Sequence, residues 1–397
     1  MPYGSVGGME RLALNFYTHY KQQGYSVKAI KIIQLPSDII HFGNDEIALS
    51  TVDFYEMSFV KRLMFYLKIP YLIHKIVKQN KTTHSIAFGD MANVFSSLSC
   101  TSEFKIASIH ALKSVEFVSK SFLNSIFKLA FKTSYYFFNK VVCISEAIKV
   151  DLIENCGFKF KSKLQVIYNP HNVAEIEKLA LIEIESLAEV ELFKNDVILF
   201  LGRMSAQKAP WHLIKAFSLL ENIDNKIKLV LIGDGDNTIT NYLKDLINKL
   251  DIEKNVVFLG RKSNPYQYLK RAKILALSSY YEGTPNVIVE AIATETPIVS
   301  SNCTDGILEL MTVETPKINN EIIETEAGMI TPNFFKGQLS VPKDEIITKE
   351  ETIFAAALQS VLNNSKYKIL LENSSAKLLE KFNLEKIAQD YLTKNGT

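Results

Sequence analysis

Two carboxylates with seven residues between them, Glu282 and Glu290, lie in the stretch YYEGTPNVIVEAIATETPIVSS, residues 280–301. Glu282-Gly283-Thr284-Pro285-Asn286 predicts a turn, and the residues after it predict a helix that carries Glu290. Pro297 ends that helix before a β-branched strand, Ile298 to Ser301. One carboxylate then sits in the loop at the helix start and the other about two turns along. A helix start with a glycine and unpaired N–H groups suits a phosphate, while carboxylates beside it suit hydroxyls. Together they suggest a nucleotide-sugar site, with pyrophosphate at the helix start and sugar hydroxyls on the acids. The alternative is a surface helix with ordinary acids.

Three further segments of the second half fit such a site. The apolar run VILFL ends in Gly202-Arg203 and leads through Met204 to Gln207 into Lys208. The glycine lets the backbone turn closely, and two cations five residues apart can converge on a diphosphate leaving group. They would stabilise the charge that grows as a glycosidic bond breaks; otherwise they are a solvated pair. LVLIGDGDN runs a strand into Gly233-Asp234-Gly235-Asp236. Its aspartates could chelate a divalent cation, but the glycines suit a strand-to-helix turn and Arg203 with Lys208 already supplies positive charge, so no metal is expected. VVFLGR sets Gly260 and Arg261 at another strand end, where backbone groups could touch a base.

The elements that must carry these loops follow from the apolar pattern. In the first half Ser26 to Ile33, His84 to Phe88, Lys105 to Ile109 and Lys140 to Ile144 read as short buried strands separated by helical patterns. In the second half Val197 to Leu201, Lys228 to Ile232, Val256 to Leu259, Ile274 to Leu277 and Ile298 to Ser301 do the same. The alternation predicts two doubly wound α/β domains: residues 1–180, a linker at 181–195, residues 196–375, and a C-terminal helix at 376–397 that crosses back toward the first domain. Ligands of open sheets lie at the carboxyl ends of the strands, and two facing sheets would place the active site in the cleft between domains. At 397 residues, 47% hydrophobic and 22% charged, the chain has the composition of a two-domain globular protein. A net charge of +2 demands no anionic partner, and the basic residues join no nucleic-acid-binding motif. Cys100, Cys143, Cys156 and Cys303 lack CxxC spacing, which argues against zinc and fits a reducing compartment. The start has no signal-peptide pattern, and no apolar run approaches a membrane span.

The ordered set GRMSAQKA, LIGDGD, VFLGR, EGTPNVIVEA and TPIVSS resembles glycosyltransferase family 4, a retaining family of the GT-B fold. In the first half GGMERLALNFYTHYKQQGYSV resembles the family's Gly-rich opening and first helix. VVCISEAIKVDL resembles the strand and helix before the interdomain crossing, and VIYNPHN stands where the family has an Asn-Gly turn. The resemblance implies that Glu282 meets the donor-sugar hydroxyls and Glu290 the ribose. It also implies that N–H groups around Pro285, Asn286 and Val287, with Gly283, Arg203 and Lys208, hold the diphosphate. Gly8, after Val6-Gly7, would bring its N–H to that phosphate from the opposite domain, and His110 in KIASIHAL would stand beside the reacting sugar. It implies further a metal-free, retaining reaction by front-face attack, in which the leaving phosphate takes the acceptor proton.

Three departures accompany the likeness. The chain starts at Met1-Pro2-Tyr3-Gly4, where the family has an apolar strand, so the true start is expected upstream or the chain truncated. Ala209-Pro210-Trp211 follows Lys208 where the family more often has a glycine, and Trp211 is expected to pack at a helix start. Residues 314–347 form a longer polar excursion with Pro316, Pro332 and Pro342, expected to be a tolerated surface insertion.

For the acceptor, FVKRLMFYLKIPYLIHKIVK, residues 59–78, contains Lys61, Arg62, Lys68, Lys75 and Lys78 and no acid. If Val118 to Lys132 is one helix, Val118, Phe122, Ile126 and Leu129 join Leu123, Phe127 and Phe131 in a wide apolar arc with Lys120, Lys128 and Lys132 outside it. Such basic, aromatic surfaces suit an anionic membrane interface; the alternative is helices buried on two sides with lysines at the rim. The sequence thus predicts a cytoplasmic, bacterial glycosyltransferase, peripheral on the inner membrane face. It would pass a hexosyl or N-acetylhexosaminyl group from a nucleotide diphosphate sugar to a surface polysaccharide, such as a lipopolysaccharide or capsule, or to a lipid-linked oligosaccharide. The alternatives are a transferase with a soluble acceptor and a truncated, non-catalytic nucleotide-sugar-binding protein.

Overall fold

The computed structural model describes the chain except residues 2, 5–7, 118–121, 222–225, 314–316, 320, 343–344 and 394–397, and the side chains at 8, 122, 305 and 317–319. It divides into two compact units, residues 1–171 with 382–397, and 172–381.

In the first unit β1 (Ala29–Ile33) and β2 (Glu46–Ser50) form one parallel pair. A separate parallel sheet runs β3 (His84–Phe88), β4 (Phe104–Ile109), β5 (Lys140–Cys143), β6 (Leu164–Val166). Ile106, Ala107, Val141 and Val142 are sealed from solvent, as expected of strands covered on both faces. Helix α1 (Gly8–Gln22) meets the chain's last helix, Leu384–Leu392, through Phe16 and Tyr391, whose rings lie 4.7 Å apart, and through Tyr20 Oη, which donates to Ala388 O at 2.7 Å. Buried Lys140 donates to Asp390 O at 2.6 Å and Thr393 O at 2.7 Å, satisfying carbonyls that a helix end leaves without intrahelical donors. The terminal segment is therefore not one helix. Lys366–Leu379 belongs to the second unit, a 3₁₀ turn follows, and Asn383 caps a new helix by accepting from Lys386 N.

The second unit is built on one sheet, ordered β12 (Lys317–Asn319), β13 (Ile322–Thr325), β14 (Gly328–Thr331), β11 (Ile298–Ser301), β10 (Ile274–Leu277), β7 (Asp196–Leu201), β8 (Ile227–Ile232), β9 (Val256–Gly260). The strands β7, β8, β9, β10 and β11 are parallel, and β7 pairs Leu199 with Val230 on one side and Leu275 on the other. From β7 the chain moves outward to β8 and β9, then returns to the other side of β7 for β10 and β11. The direction of winding reverses between β7 and β10.

The structure differs from the sequence reading in two further places. The stretch 181–195 is not a plain linker, since Leu187–Leu192 is a helix capped by Ser186, and its Glu189 holds Lys262 at 2.5 Å and Tyr268 Oη at 2.6 Å. The unit boundary lies earlier, at His171 and Asn172. The excursion at 314–347 is not a surface insertion either. Within it β12 (Lys317–Asn319), β13 (Ile322–Thr325) and β14 (Gly328–Thr331) extend the sheet, β14 parallel to β11. Among the described residues no helix is long and apolar enough to cross a membrane.

Candidate functional site

The carboxyl ends of β7 and β10 flank the winding reversal, the position where open α/β sheets bind ligands. The loop after β7 carries Arg203 and Lys208 and the loop after β10 carries Glu282. Lys208 Nζ lies 2.5 Å from Glu282 Oε1, so residues 74 apart in sequence meet in one ion pair. Ser279 Oγ donates to the same carboxylate oxygen at 2.8 Å, and Ser301 Oγ, from the end of β11, holds Ser279 O at 2.7 Å. Ser278 Oγ donates to Lys208 O and Ala209 O at 3.1 and 3.0 Å, and Gln207 Nε2 to Tyr281 O at 3.1 Å. Glu282 is buried, whereas Arg203 is exposed.

Below this pair lies a cluster that the sequence did not reveal. Tyr280 N donates to Gln207 O at 2.8 Å, and Asn333 Nδ2 donates to Tyr280 O at 3.1 Å. Trp211 Nε1 donates to the Tyr280 hydroxyl at 3.3 Å, and His212 Nε2 lies 2.9 Å from it. His212 Nδ1 is 2.6 Å from Glu351 Oε1. A carboxylate only accepts, so Nδ1 carries the proton and Nε2 accepts from Tyr280. Burial holds the His212 pKa below its ordinary value, with Glu351 pulling the other way. Phe334 stacks on the imidazole at 4.4 Å. Glu351 also accepts from Thr348 N at 2.7 Å in a capping box that starts the Lys349–Asn363 helix. Trp211 is fully buried, as its helix-start position suggested.

The Asn286–Ala293 helix starts beyond Pro285, and its first-turn N–H groups are those a helix leaves without intrahelical partners. Val287 and Glu290 are buried on it, and the Tyr266 hydroxyl donates to Glu290 Oε1 at 3.4 Å. In the turn before it, the Thr284 hydroxyl is buried with no hydrogen-bond partner. Gly283 gains close cover from Gly306, where a Cβ would stand 2.7 Å from Gly283 O.

The glycines of GDGD are explained by close approach. A Cβ on Gly233 would lie 1.9 Å from Gly202 O, and one on Gly235 would lie 2.3 Å from Met204 O. Their loop is stitched to the β7 loop by Met204 N donating to Asp234 O at 2.9 Å. Asp236 caps the Asn237–Lys249 helix, accepting from Thr238 N at 2.7 Å, and Asp234 faces Arg261 at 3.7 Å. Gly260, at the end of β9, has φ +63° and receives Gly233 N on its carbonyl at 2.9 Å.

Two expected residues belong to the first unit. Gly8 opens α1, and Val6-Gly7 before it lies outside the described residues. His110 follows β4. Its Nε2 is buried without a hydrogen-bond partner, and its pKa is pushed down to about 3 by burial and by the nearby Lys113 ammonium. The ring is therefore neutral at physiological pH.

Residues 184–324 match the family model described as glycosyl transferases group 1. An uncharacterized glycosyltransferase of Methanocaldococcus jannaschii is 30% identical over 259 residues, 62% of this chain and 62% of its own. The Campylobacter jejuni N-acetylgalactosamine-N,N'-diacetylbacillosaminyl-diphospho-undecaprenol 4-alpha-N-acetylgalactosaminyltransferase is 25% identical over 279 residues, 70% of this chain and 66% of its own. The chain thus spans under two thirds of the length of both relatives. Anabaena HepE, crystallised with UDP and glucose, superposes with a TM-score of 0.70 at 18% identity, over 98% of this chain and 96% of that one. The fold is that of the GT-B glycosyltransferases. Over residues 184–324 the chain is similar to their group 1.

Proposed function

We propose that the chain transfers a sugar from a nucleoside diphosphate sugar to a lipid-linked or surface-polysaccharide glycan, with retention of anomeric configuration. The observation that carries this reading is the Lys208–Glu282 pair, its carboxylate buried, at the winding reversal of the second sheet. Glu282 receives the donor-sugar hydroxyls, and Glu290, further down its helix, the ribose. Arg203 and Lys208, with the N–H groups around Gly283 and from Asn286 to Val287, hold the diphosphate. Gly202, Gly233 and Gly260 let the strand ends come close enough to line the site, and Arg261 sits at its nucleotide end. The carbon–oxygen bond to the leaving phosphate breaks as the acceptor oxygen bonds to the same face, and the phosphate oxygen takes the acceptor proton. The Gly8 N–H takes the phosphate and the neutral His110 ring the reacting sugar, and no metal is required. The Campylobacter relative, whose name specifies a diphospho-undecaprenol substrate, supports the lipid-linked acceptor, and the UDP-bound Anabaena protein supports a uridine donor.

The test is turnover of uridine, guanosine and adenosine diphosphate sugars by the purified chain, with and without a polyprenyl-diphosphate-linked oligosaccharide. One donor is expected to be consumed, faster with the acceptor, and Glu282→Ala is expected to abolish consumption in a folded protein. Unchanged turnover in Glu282→Ala would remove the site assignment.

A further inference from the structure

Helix α2 (Phe59–Gln79) has two apolar sides, and only one of them is covered. Its inner side packs Phe65, Tyr66, Ile69 and Ile73 against Ile32, Ile33, Phe54 and Phe95. Its outer side carries Val60, Leu63, Met64, Leu67 and Tyr71, between 49% and 75% exposed. The spacing of three and four residues stacks these five into one stripe opposite Ile69. A helix with one face on a core ordinarily turns polar residues to water, and contiguous exposed apolar patches mark interaction sites. Lys61, Lys68 and Lys75 are exposed and recur every seventh residue, so they form a cationic row along one flank of the stripe. No Asp or Glu lies anywhere in α2.

The second basic segment does not share this character. In the Phe122–Lys132 helix Phe131 and Ala130 are buried, Ile126 and Phe127 pack on the same core, and Lys128 Nζ lies 5.2 Å above the Phe117 ring. Val118 and Lys120 lie outside the described residues.

We propose that the outer face of α2 seats this protein on an anionic lipid bilayer, with Leu63, Met64 and Leu67 entering the acyl boundary and the lysine row meeting lipid phosphates. The chemistry is that of an interfacial amphipathic helix. The lysine row also argues against an antiparallel second copy of the chain as occupant, because that pairing of two α2 faces would set the cationic rows together with no acid on either helix to offset them. The inference rests on the lipid-linked acceptor reading, since it places the first unit at the surface where such an acceptor resides.

The experiment is co-sedimentation of the purified full chain with phosphatidylcholine vesicles and with phosphatidylcholine–phosphatidylglycerol vesicles, without donor or acceptor. The chain is expected to sediment with the anionic vesicles and to leave them at high salt. Leu63→Asp with Leu67→Asp should lower the bound fraction at least about tenfold. Replacing Lys61, Lys68 and Lys75 with Glu should lower it about fivefold or more per residue. Donor binding by calorimetry should be unchanged in both. Failure of the wild type to bind anionic vesicles, or equal binding by the Leu variant, would overturn the inference. So would a dimer seen by light scattering that the Leu variant dissolves while vesicle binding is absent. Donor binding without vesicle binding would sink only this inference; vesicle binding without donor binding would sink only the transferase reading.

Discussion

The strand-end loops of the two units treat their polar groups differently. In the second unit Lys208, Glu282 and Ser279 form one hydrogen-bonded group and Trp211, Tyr280, His212 and Glu351 another, and the Thr284 hydroxyl beside them is buried without a partner. At the carboxyl ends of β3 and β4 in the first unit, His110 Nε2, Asp90 Oδ1 and Asn93 Oδ1 are buried with no partner. A saturated network keeps its geometry before a ligand arrives, which is the requirement for electrostatic catalysis. Buried groups without partners carry a desolvation cost that a bound hydroxyl or water would relieve.

The strongest way to break that contrast is to unpair the second unit. On the proposed function Lys208→Ala removes both the phosphate cation and the partner of Glu282, and turnover should fall by roughly 10²–10³-fold, the range for loss of one preorganised transition-state donor. Steady-state kinetics on the folded variant checks this. Glu351→Ala leaves His212 and Lys215 buried without their carboxylate. It should cost about 3 kcal/mol of stability by urea unfolding, as loss of one partner of a buried ion pair does, and loosen the Tyr280 loop with it.

The first unit should answer to pH. Burial lowers the rings of His110 and His171, to about 3 and about 4, while the unfolded chain titrates near the ordinary value of about 6.5. Above that value both states are neutral and the stability is fully present. As pH falls below it the unfolded state binds protons first, and stability declines until the folded rings titrate. Each ring adds a slope of at most about 1.4 kcal/mol per pH unit. Urea midpoints from pH 7 to 4.5 should show the decline, and His171→Gln should reduce its slope by one proton.

The smallest expected effect sharpens the backbone account. Ala209 has φ +42° and ψ +52°, the left-handed region, at the start of the Pro210–Phe217 helix. That is the physical reason a glycine suits the position. Ala209→Gly should relieve this strain against a greater loss of chain entropy, raising stability by up to about 1 kcal/mol. Thermal unfolding would show it as a rise in midpoint of a few degrees or less.

The sequence made the central strands legible because fully buried parallel strands are short apolar runs. His84–Phe88, Ile274–Leu277 and Ile298–Ser301 have the bounds expected. Half-exposed β2 and three-residue β6 carry no such run, and the β12–β14 ribbon is interrupted by turns and polar residues. Lys208 and Glu282 could be singled out from local spacing, because each sits at a strand end beside a glycine or a helix start. His212 and Glu351 could not, since 139 residues separate them and each looks like an ordinary helix residue. The split in exposure between α2 and the Phe122–Lys132 helix was equally hidden, because both are basic and apolar and only packing shows which side is covered.

Calorimetric titration of the donor sugar that the chain turns over, into wild type and Lys208→Ala, tests the central claim most directly. The account predicts one site in the wild type and an affinity loss of about tenfold or more in the variant, as expected for removing a charge-assisted contact. Equal affinity in the two folded proteins would contradict it and move the donor away from the ends of β7 and β10.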